Sequence, residues 1–203
     1  MSHPSPNHGD RRGQRVELIV LHYTGMEDGA SARARLCDPE AEVSAHWLVH
    51  EDGRTEALVP EDRRAWHAGA GSWRGRDDVN SRSIGIEIVN PGDRPFPMAQ
   101  MDAVVTLLRG ISARHRLGPA DVIGHSDMAP DRKCDPGPRF DWARQGGSDA
   151  AAQQACASYT DTARAQMAFL AAGGPERDPQ GMDPDGDGFY FCCDPAPNRV
   201  SQM

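Results

Sequence analysis

The chain has no long apolar segment. Residues 1–15 are polar, and the apolar run that follows, residues 16–21, is only long enough for one buried strand. A membrane span needs about 20 apolar residues, and a secretory signal needs a longer apolar stretch near the start of the chain. We therefore expect no membrane association and a cytoplasmic location, with release by a lysis system as the alternative.

Runs of basic residues are also missing. The formal net charge is −8, from 22 Lys and Arg against 30 Asp and Glu, and the basic residues form no cluster along the sequence. A protein that binds nucleic acid needs a basic surface, because attraction to the phosphates supplies much of the affinity. We therefore expect no nucleic-acid partner.

The cysteines show no disulfide pattern. They form an odd-numbered set without a CxxC pair, namely Cys37, Cys134, Cys156, Cys192 and Cys193. Disulfide-stabilised domains normally carry an even number of cysteines, and disulfides are rare in reducing compartments. We expect free thiols.

The length of 203 residues suits one well-buried domain with an appendage. Composition changes near residue 147, beyond which a predicted amphipathic helix (150–172) precedes a segment rich in Gly, Pro and Asp. We expect a polar N-terminal segment (1–15), a core domain (16–147) and a C-terminal appendage (148–203), in a monomeric protein.

Hydrophobic patterning predicts alternating strands and helices, which indicates an α/β fold. Apolar and β-branched residues predict strands over residues 16–21, 46–50, 55–60, 83–89 and 121–125, and Asp52-Gly53 supplies a hairpin turn. Apolar residues at helical spacing predict a long helix over 98–117, and an Ala/Arg-rich stretch predicts a short one over 29–36.

Two of these strands lead to a histidine. His22 follows the first strand and His125 ends the last, while Asp135 lies in a loop ten residues after His125. Two imidazoles and one carboxylate, with a fourth position left for water, are a ligand set of catalytic zinc sites. Spacing alone leaves open that these are hydrogen-bonded structural residues, because the chain has eight histidines.

Five short motifs occur in order along residues 16–142. They are Leu21-His22-Tyr23-Thr24, Ser44-Ala45-His46-Trp47, Ala65-Trp66-His67-Ala68-Gly69, Ser83-Ile84-Gly85-Ile86-Glu87, and Gly124-His125-Ser126-Asp127 continued by Lys133-Cys134-Asp135-Pro136-Gly137. In sequence and order they resemble the N-acetylmuramoyl-L-alanine amidase type 2 family, which includes phage lysozyme-type amidases and peptidoglycan recognition proteins. The last motif is most similar to the cytosolic AmpD-type amidases of cell-wall recycling.

The resemblance implies a fold, a metal and a reaction. The fold is a central mixed β-sheet flanked by helices, with the metal in a groove at the strand ends. The metal is Zn²⁺, held by His22, His125 and Asp135. The reaction is hydrolysis of the amide bond between N-acetylmuramic acid and L-alanine, in peptidoglycan or in muropeptides. A thiolate ligand at Cys134, as in phage members, is disfavoured because Lys133 should lie two positions before the ligand.

Glu87 and Lys133 are the predicted catalytic residues. Apolar neighbours in the strand would raise the pKa of Glu87 toward neutrality, and the resemblance places a catalytic glutamate there. From spacing alone, an outward-facing glutamate is the alternative. Lys133 would offer its ammonium to the developing oxyanion, unless it is a solvated loop residue. Relatives without the glutamate use a tyrosine where this chain has Ala45.

Four residues are predicted to contact substrate. Trp66 and His67 occupy the positions of substrate-contacting residues in similar proteins, and the indole of Trp66 offers a flat face for a sugar or peptide. Burial of Trp66 in the core is an equal alternative. Asn80 and Arg82 precede the Glu87 strand and would hydrogen-bond the stem peptide.

The appendage contains a second candidate metal motif. Residues 183–188 match the start of a calcium-binding loop, and Asp194 takes its twelfth position. A disordered Asp/Gly-rich tail explains the same residues. If the segment resembles the calcium-binding termini of some bacterial surface proteins, Cys192 or Cys193 would pair with Cys156.

The sequence as a whole predicts a zinc-dependent amidase that acts on peptidoglycan or on soluble anhydro-muropeptides. The alternative from another functional class is a peptidoglycan-binding module of the same fold without catalysis. Such modules replace the last metal ligand, whereas Asp135 is present here together with Glu87 and Lys133.

Overall fold

The computed structural model describes residues 4–145. The predicted helix over 150–172, the calcium-loop motif and the cysteines Cys156, Cys192 and Cys193 lie outside the described residues. Of the part described, no helix is both long enough and apolar enough to cross a membrane.

Seven strands and four α-helices make up the described domain. The strands are β1 (His8–Gly9), β2 (Leu18–Tyr23), β3 (Trp47–Val49), β4 (Thr55–Ala57), β5 (Arg64–Ala65), β6 (Ser83–Ile88) and β7 (Val122–Gly124). The helices are α1 (Gly29–Cys37), α2 (Val79–Arg82), α3 (Met98–His115) and α4 (His125–Met128). Short 3₁₀ turns occur at Pro39–Ala41, Pro119–Asp121 and Trp142–Gln145.

A mixed sheet of five strands lies at the centre, in the order β4-β3-β6-β2-β7. Strands β3, β6, β2 and β7 run parallel, and β4 pairs antiparallel with β3. Strands β1 and β5 form a separate antiparallel pair. The predicted mixed sheet flanked by helices is therefore confirmed, and the predicted hairpin corresponds to β3 and β4.

Alternation of side chains along β2 divides the core into two layers. Ile19 and Leu21 belong to the cluster formed with α3, whereas Leu18 and Val20 pack in a second cluster with Ile123. Successive side chains of a strand point to opposite faces of the sheet. His22 therefore lies on the face opposite α3.

Strand β6 repeats this alternation beside β2. Ile84, Ile86 and Ile88 join the α3 cluster, so Ser83, Gly85 and Glu87 lie on the other face. The parallel register pairs His22 with Glu87. Both side chains thus project from the same face, near the carboxyl ends of adjacent strands.

The last predicted strand ends one residue earlier than the sequence indicated. β7 stops at Gly124, and His125 is the first residue of α4. The Oδ2 atom of Asp127 accepts a hydrogen bond of 2.7 Å from the Gly124 amide, which stabilises the first turn of this helix. The helix start, rather than the strand end, sets the direction of the His125 side chain.

The N-terminal segment packs against the domain instead of lying apart from it. Ser5 Oγ donates to Leu36 O at 2.6 Å, and the buried guanidinium of Arg11 donates to backbone oxygens of Glu61, Ser81 and Ser83. Burial lowers the pKa of Arg11 to about 10. Polar composition suggested a separate segment over residues 1–15, but these polar groups bind backbone carbonyls of the domain.

Candidate metal centre

The three predicted metal ligands converge at the carboxyl edge of β2. His22 Nδ1 lies 2.9 Å from His125 Nδ1 and 3.0 Å from Asp135 Oδ2, and the latter two atoms are 3.0 Å apart. The three residues are 1%, 3% and 7% exposed. Side chains far apart in sequence thus form a compact, buried triangle of ligand atoms.

Three different elements position these ligands. His22 projects from β2, His125 begins α4, and Asp135 lies in the loop that follows α4. The Ser126 amide donates to the Asp135 carbonyl at 3.0 Å, which holds this loop against the start of α4. The side chain of Asp135 is thereby held beside that of His125.

The donor set fits a divalent metal ion such as zinc. His125 Nε2 lies 2.9 Å from Ala68 O, an acceptor only, so a neutral His125 carries its proton there and directs the Nδ1 lone pair inward. Three electron-pair donors within about 3 Å of one another suit a cation placed between them. With zinc–nitrogen distances of about 2.0–2.1 Å, tetrahedral ligands are about 3.3 Å apart, close to the spacing observed.

Charges at the centre also suit a metal. Burial lowers the pKa of His22, an effect only partly offset by Asp135. Burial would raise the pKa of Asp135, but its interactions with His125 and His22 outweigh this and hold that pKa below its usual range. A neutral imidazole and an ionised carboxylate are the protonation states that bind zinc.

The carboxyl group of Glu87 has a raised pKa, which favours its protonated form. Burial, together with the negative charge of Asp135, raises the pKa of Glu87 well above its ordinary value, and Lys133 opposes the shift. Its Oε2 atom is inaccessible to solvent and has no hydrogen-bond partner within residues 4–145. The flanking isoleucines lie on the opposite face of β6, so the pKa of Glu87 is raised by burial and by Asp135 on the face that also carries His22.

Lys133 lies in the loop between α4 and Asp135, and its side chain is half-buried. Its charge acts on both Glu87 and His22. It is also the only lysine of the chain, whose other 21 basic residues are arginines. That composition singles out Lys133 from the sequence, although motif spacing was the signal used to find it.

His67 does not have the solvent-facing position expected of a substrate contact. It is 8% exposed, its Nδ1 lies 3.0 Å from His22 Nε2, and its Nε2 lies 3.0 Å from Ser83 Oγ. Burial, with the adjacent histidines, lowers the pKa of His67 well below its ordinary value. Both ring nitrogens of His67 are therefore engaged inside the protein, by His22 and by Ser83.

Asn80 and Arg82 are also turned inward. Asn80 Oδ1 accepts hydrogen bonds from the amides of His67 and Ala68, at 3.0 and 2.8 Å. Arg82 is 2% exposed and donates to the carbonyl of Trp73 at 2.6 Å and to Glu17 at 3.3 Å. Neither side chain is available to a stem peptide. Trp66 is half-buried, and its contact with substrate stays a prediction.

Ser83 and Gly85 contact this centre but were not among the predicted site residues. A glycine inside a predicted strand is typical of a close approach by another group, and this signal was present at Gly85. A Cβ atom there would lie 2.3 Å from Cγ of His67, so the imidazole packs directly on the strand backbone. Ser83, by contrast, could not be identified without knowing that His67 folds over β6.

The residues of the candidate metal centre lie within a segment that is similar to known proteins. The sequence model of the N-acetylmuramoyl-L-alanine amidase family matches residues 12–138. The match contains all three members of the candidate metal centre, together with Glu87 and Lys133. It also begins before the predicted domain boundary at residue 16, next to the buried Arg11.

Two curated proteins of Escherichia coli K12 are similar over most of this chain. The 1,6-anhydro-N-acetylmuramyl-L-alanine amidase AmpD is 43% identical over 159 residues, which cover 70% of this chain and 87% of AmpD. The N-acetylmuramoyl-L-alanine amidase AmiD is 38% identical over 177 residues, covering 79% of this chain. The chain spans only 60% of AmiD, however.

A solved structure shows the same fold. The complex of E. coli AmiD with anhydro-N-acetylmuramic acid-L-Ala-D-gamma-Glu-L-Lys superimposes with a TM-score of 0.60 and 38% sequence identity. The comparison covers 72% of this chain and 58% of the AmiD chain.

Proposed function

Because the chain belongs to the N-acetylmuramoyl-L-alanine amidase family, we propose that it is a zinc-dependent hydrolase of the bond between N-acetylmuramic acid and L-alanine. The observation that carries the proposal is the triangle of His22, His125 and Asp135 beside the half-buried side chain of Glu87, whose carboxyl pKa is raised. A binding module without catalysis would not need to keep this carboxyl group next to an intact ligand set.

Amide hydrolysis needs an activated water, a stabilised oxyanion and a proton for the leaving amine. Zinc, when held by the three ligands, would polarise the amide carbonyl and lower the pKa of a coordinated water to about 7. Glu87 would accept the proton of the attacking water and return it to the leaving nitrogen of L-alanine. Its raised pKa suits both transfers, since a general base and acid works best when its pKa lies near the working pH.

Lys133 would stabilise the negative charge that develops on the carbonyl oxygen. Its ammonium lies close enough to influence Glu87 and His22, and the loop holds its backbone through a 3.0 Å bond from its amide to Ala129 O. A positive charge aimed at the oxyanion acts mainly in the transition state.

The proposed substrates are muropeptides, including those with a 1,6-anhydro end. Two relatives support this: AmpD is a 1,6-anhydro-N-acetylmuramyl-L-alanine amidase, and the AmiD complex contains an anhydro-muropeptide. The test is mass spectrometry of the products formed by the purified chain from a 1,6-anhydro-muropeptide and, separately, from intact sacculi.

We expect the anhydro-muropeptide to yield the anhydro-sugar and a free peptide with an N-terminal alanine. Cleavage of sacculi alone would keep the bond specificity but overturn the proposed substrate form. Products cut at a glycosidic bond, or within the peptide, would contradict the amidase assignment.

Replacing Lys133 with alanine is expected to lower kcat by about 10²–10³-fold and to change KM little, since oxyanion donors act in the transition state. Lys133→Arg should restore only part of the rate, because a planar fork replaces a compact charge. Trp66→Ala serves as the comparison and should raise KM more than it lowers kcat. A rise in KM alone for Lys133→Ala would make the lysine a substrate anchor.

The single lysine allows an independent check of the same role. An amine-selective acetylating reagent can modify only Lys133 and the terminal amine of this chain. Acetylation should lower the kcat of the wild type to about that of Lys133→Ala. It should leave the residual activity of Lys133→Ala unchanged.

A further inference from the structure

A line of buried hydrogen-bonding groups runs from the backbone of α2 to the metal centre. Ser83 Oγ donates to Val79 O at 2.6 Å, Ser83 Oγ lies 3.0 Å from His67 Nε2, and His67 Nδ1 lies 3.0 Å from His22 Nε2. Ser83, His67 and His22 are 0%, 8% and 1% exposed. Water therefore has little access to the groups that form these hydrogen bonds.

The hydrogen bond from Ser83 to Val79 O determines which atom donates in each of the other hydrogen bonds. A carbonyl oxygen only accepts, so the single hydroxyl hydrogen of Ser83 points at Val79 O, and Ser83 must accept from His67 Nε2–H. Within residues 4–145 the ring nitrogens of His67 bond Ser83 and His22, so a neutral His67 with its proton on Nε2 has a lone pair on Nδ1. That lone pair accepts from His22 Nε2–H, which leaves the Nδ1 atom of His22 unprotonated.

We infer that Ser83 and His67 form a relay that fixes His22 in the tautomer able to bind metal, with Ser83 and His67 as positioning residues rather than substrate contacts. The inference rests on the proposed function, because it takes His22 Nδ1 as a metal ligand. Groups of this kind around metal-binding histidines typically change metal affinity by about 10–100-fold.

The same short segment also orients the second histidine. Asn80 Oδ1 accepts from the amides of His67 and Ala68, which fixes the backbone between them. The carbonyl of Ala68 then lies 2.9 Å from His125 Nε2. Residues 67–68 thus supply the outer partner of both ligand histidines, one through a side chain and one through a carbonyl.

Gly85 makes room for this arrangement. The imidazole of His67 crosses β6 at the glycine, where an added Cβ would approach its ring carbons and Nδ1 within 2.3–2.6 Å. Such contacts cannot be accommodated without moving the ring. A side chain at position 85 would therefore separate His67 from His22 or from Ser83.

The test is the affinity of the full chain for Zn²⁺, measured by competition with a chromophoric chelator. Ser83→Ala removes the acceptor for His67 Nε2–H and is expected to weaken zinc binding by about 10–100-fold. Ser83→Thr keeps the hydroxyl and should restore most of the affinity. Ser81→Ala is the matched control, because Ser81 is equally buried but bonds Asp78 and Arg64 outside the relay.

Histidine tautomers are read directly by long-range ¹H–¹⁵N correlation spectra of the wild-type protein. The inference requires the proton on Nε2 of both His22 and His67. A proton on Nδ1 of His67, or wild-type zinc affinity in Ser83→Ala, would overturn it. Failure of the wild type to bind zinc would instead overturn the proposed metal, and the tautomer spectra of the metal-free protein would still decide the relay.

Discussion

Glu87→Gln is expected to fold, to bind zinc like the wild type and to hydrolyse muropeptide at least about a hundredfold more slowly. The amide has nearly the shape of the carboxyl group, so packing on β6 is preserved. It cannot accept a proton from water or return one to the leaving amine. The Oε2 atom of Glu87 is inaccessible to solvent, and the side chain lies on the face of His22, so its carboxyl group is placed to serve this centre.

The measurement is kcat with a soluble muropeptide, with zinc content determined on the same preparation. Glu56→Gln is a suitable control, since Glu56 is also a strand glutamate but pairs with Arg33 and Arg54 at the surface. We expect that variant to keep its rate within about twofold, as distant surface changes usually do. Near-normal turnover by Glu87→Gln would assign proton transfer to another group.

The residues of the triangle were proposed as ligands from short local motifs, and the structure brings their side chains together. An apolar strand pattern ending beside a histidine places that side chain at the edge of a sheet, and parallel strands bring such edges together. In the structure, Glu87 alternates with the isoleucines of β6 and therefore lies opposite the α3 layer. The roles of His22, His125, Asp135 and Glu87 came from the family resemblance and stay predictions, since strand spacing alone also allows structural histidines and an outward-facing glutamate.

The environment of the metal centre could not be predicted in the same way. His67, Asn80 and Arg82 are polar residues close to catalytic motifs, which favoured contact with substrate. Whether a polar side chain faces a groove or a buried carbonyl depends on how loops fold over the sheet. The long segment between β5 and β6 folds back so that Asn80 holds the backbone of His67, a contact that no periodicity encodes.

The contacts of the N-terminal segment could not be predicted from the sequence either. Its composition is polar, yet Arg11 is 7% exposed because three backbone carbonyl groups replace its hydration. Burial of a charged group is affordable only when its hydrogen bonds are satisfied, and such partners are invisible in the sequence. Composition identified the segment as polar but could not show that backbone carbonyls of the domain bind Arg11.

Asp135→Ala is expected to lower the zinc content from about one ion per chain to near zero after dialysis, and His22→Ala to do the same. Each change removes one corner of the triangle of ligand atoms. Asp135 also supplies the only negative charge of the ligand set, so its loss leaves two neutral imidazoles. Amidase activity should fall to background in both variants, since zinc would activate both the water and the carbonyl.

Cys134→Ser is the control that decides which residue of this loop is the ligand. Cys134 is the immediate neighbour of Asp135, and its thiol lies 3.4 Å from the hydroxyl of Tyr23 rather than within the triangle. It should therefore keep its zinc, as measured by elemental analysis alongside the other variants. Full zinc occupancy in Asp135→Ala together with loss in Cys134→Ser would move the ligand to the thiolate. A wild-type thermal transition that shifts upward with added Zn²⁺, and an Asp135→Ala transition that does not, would show that the metal binds the folded site.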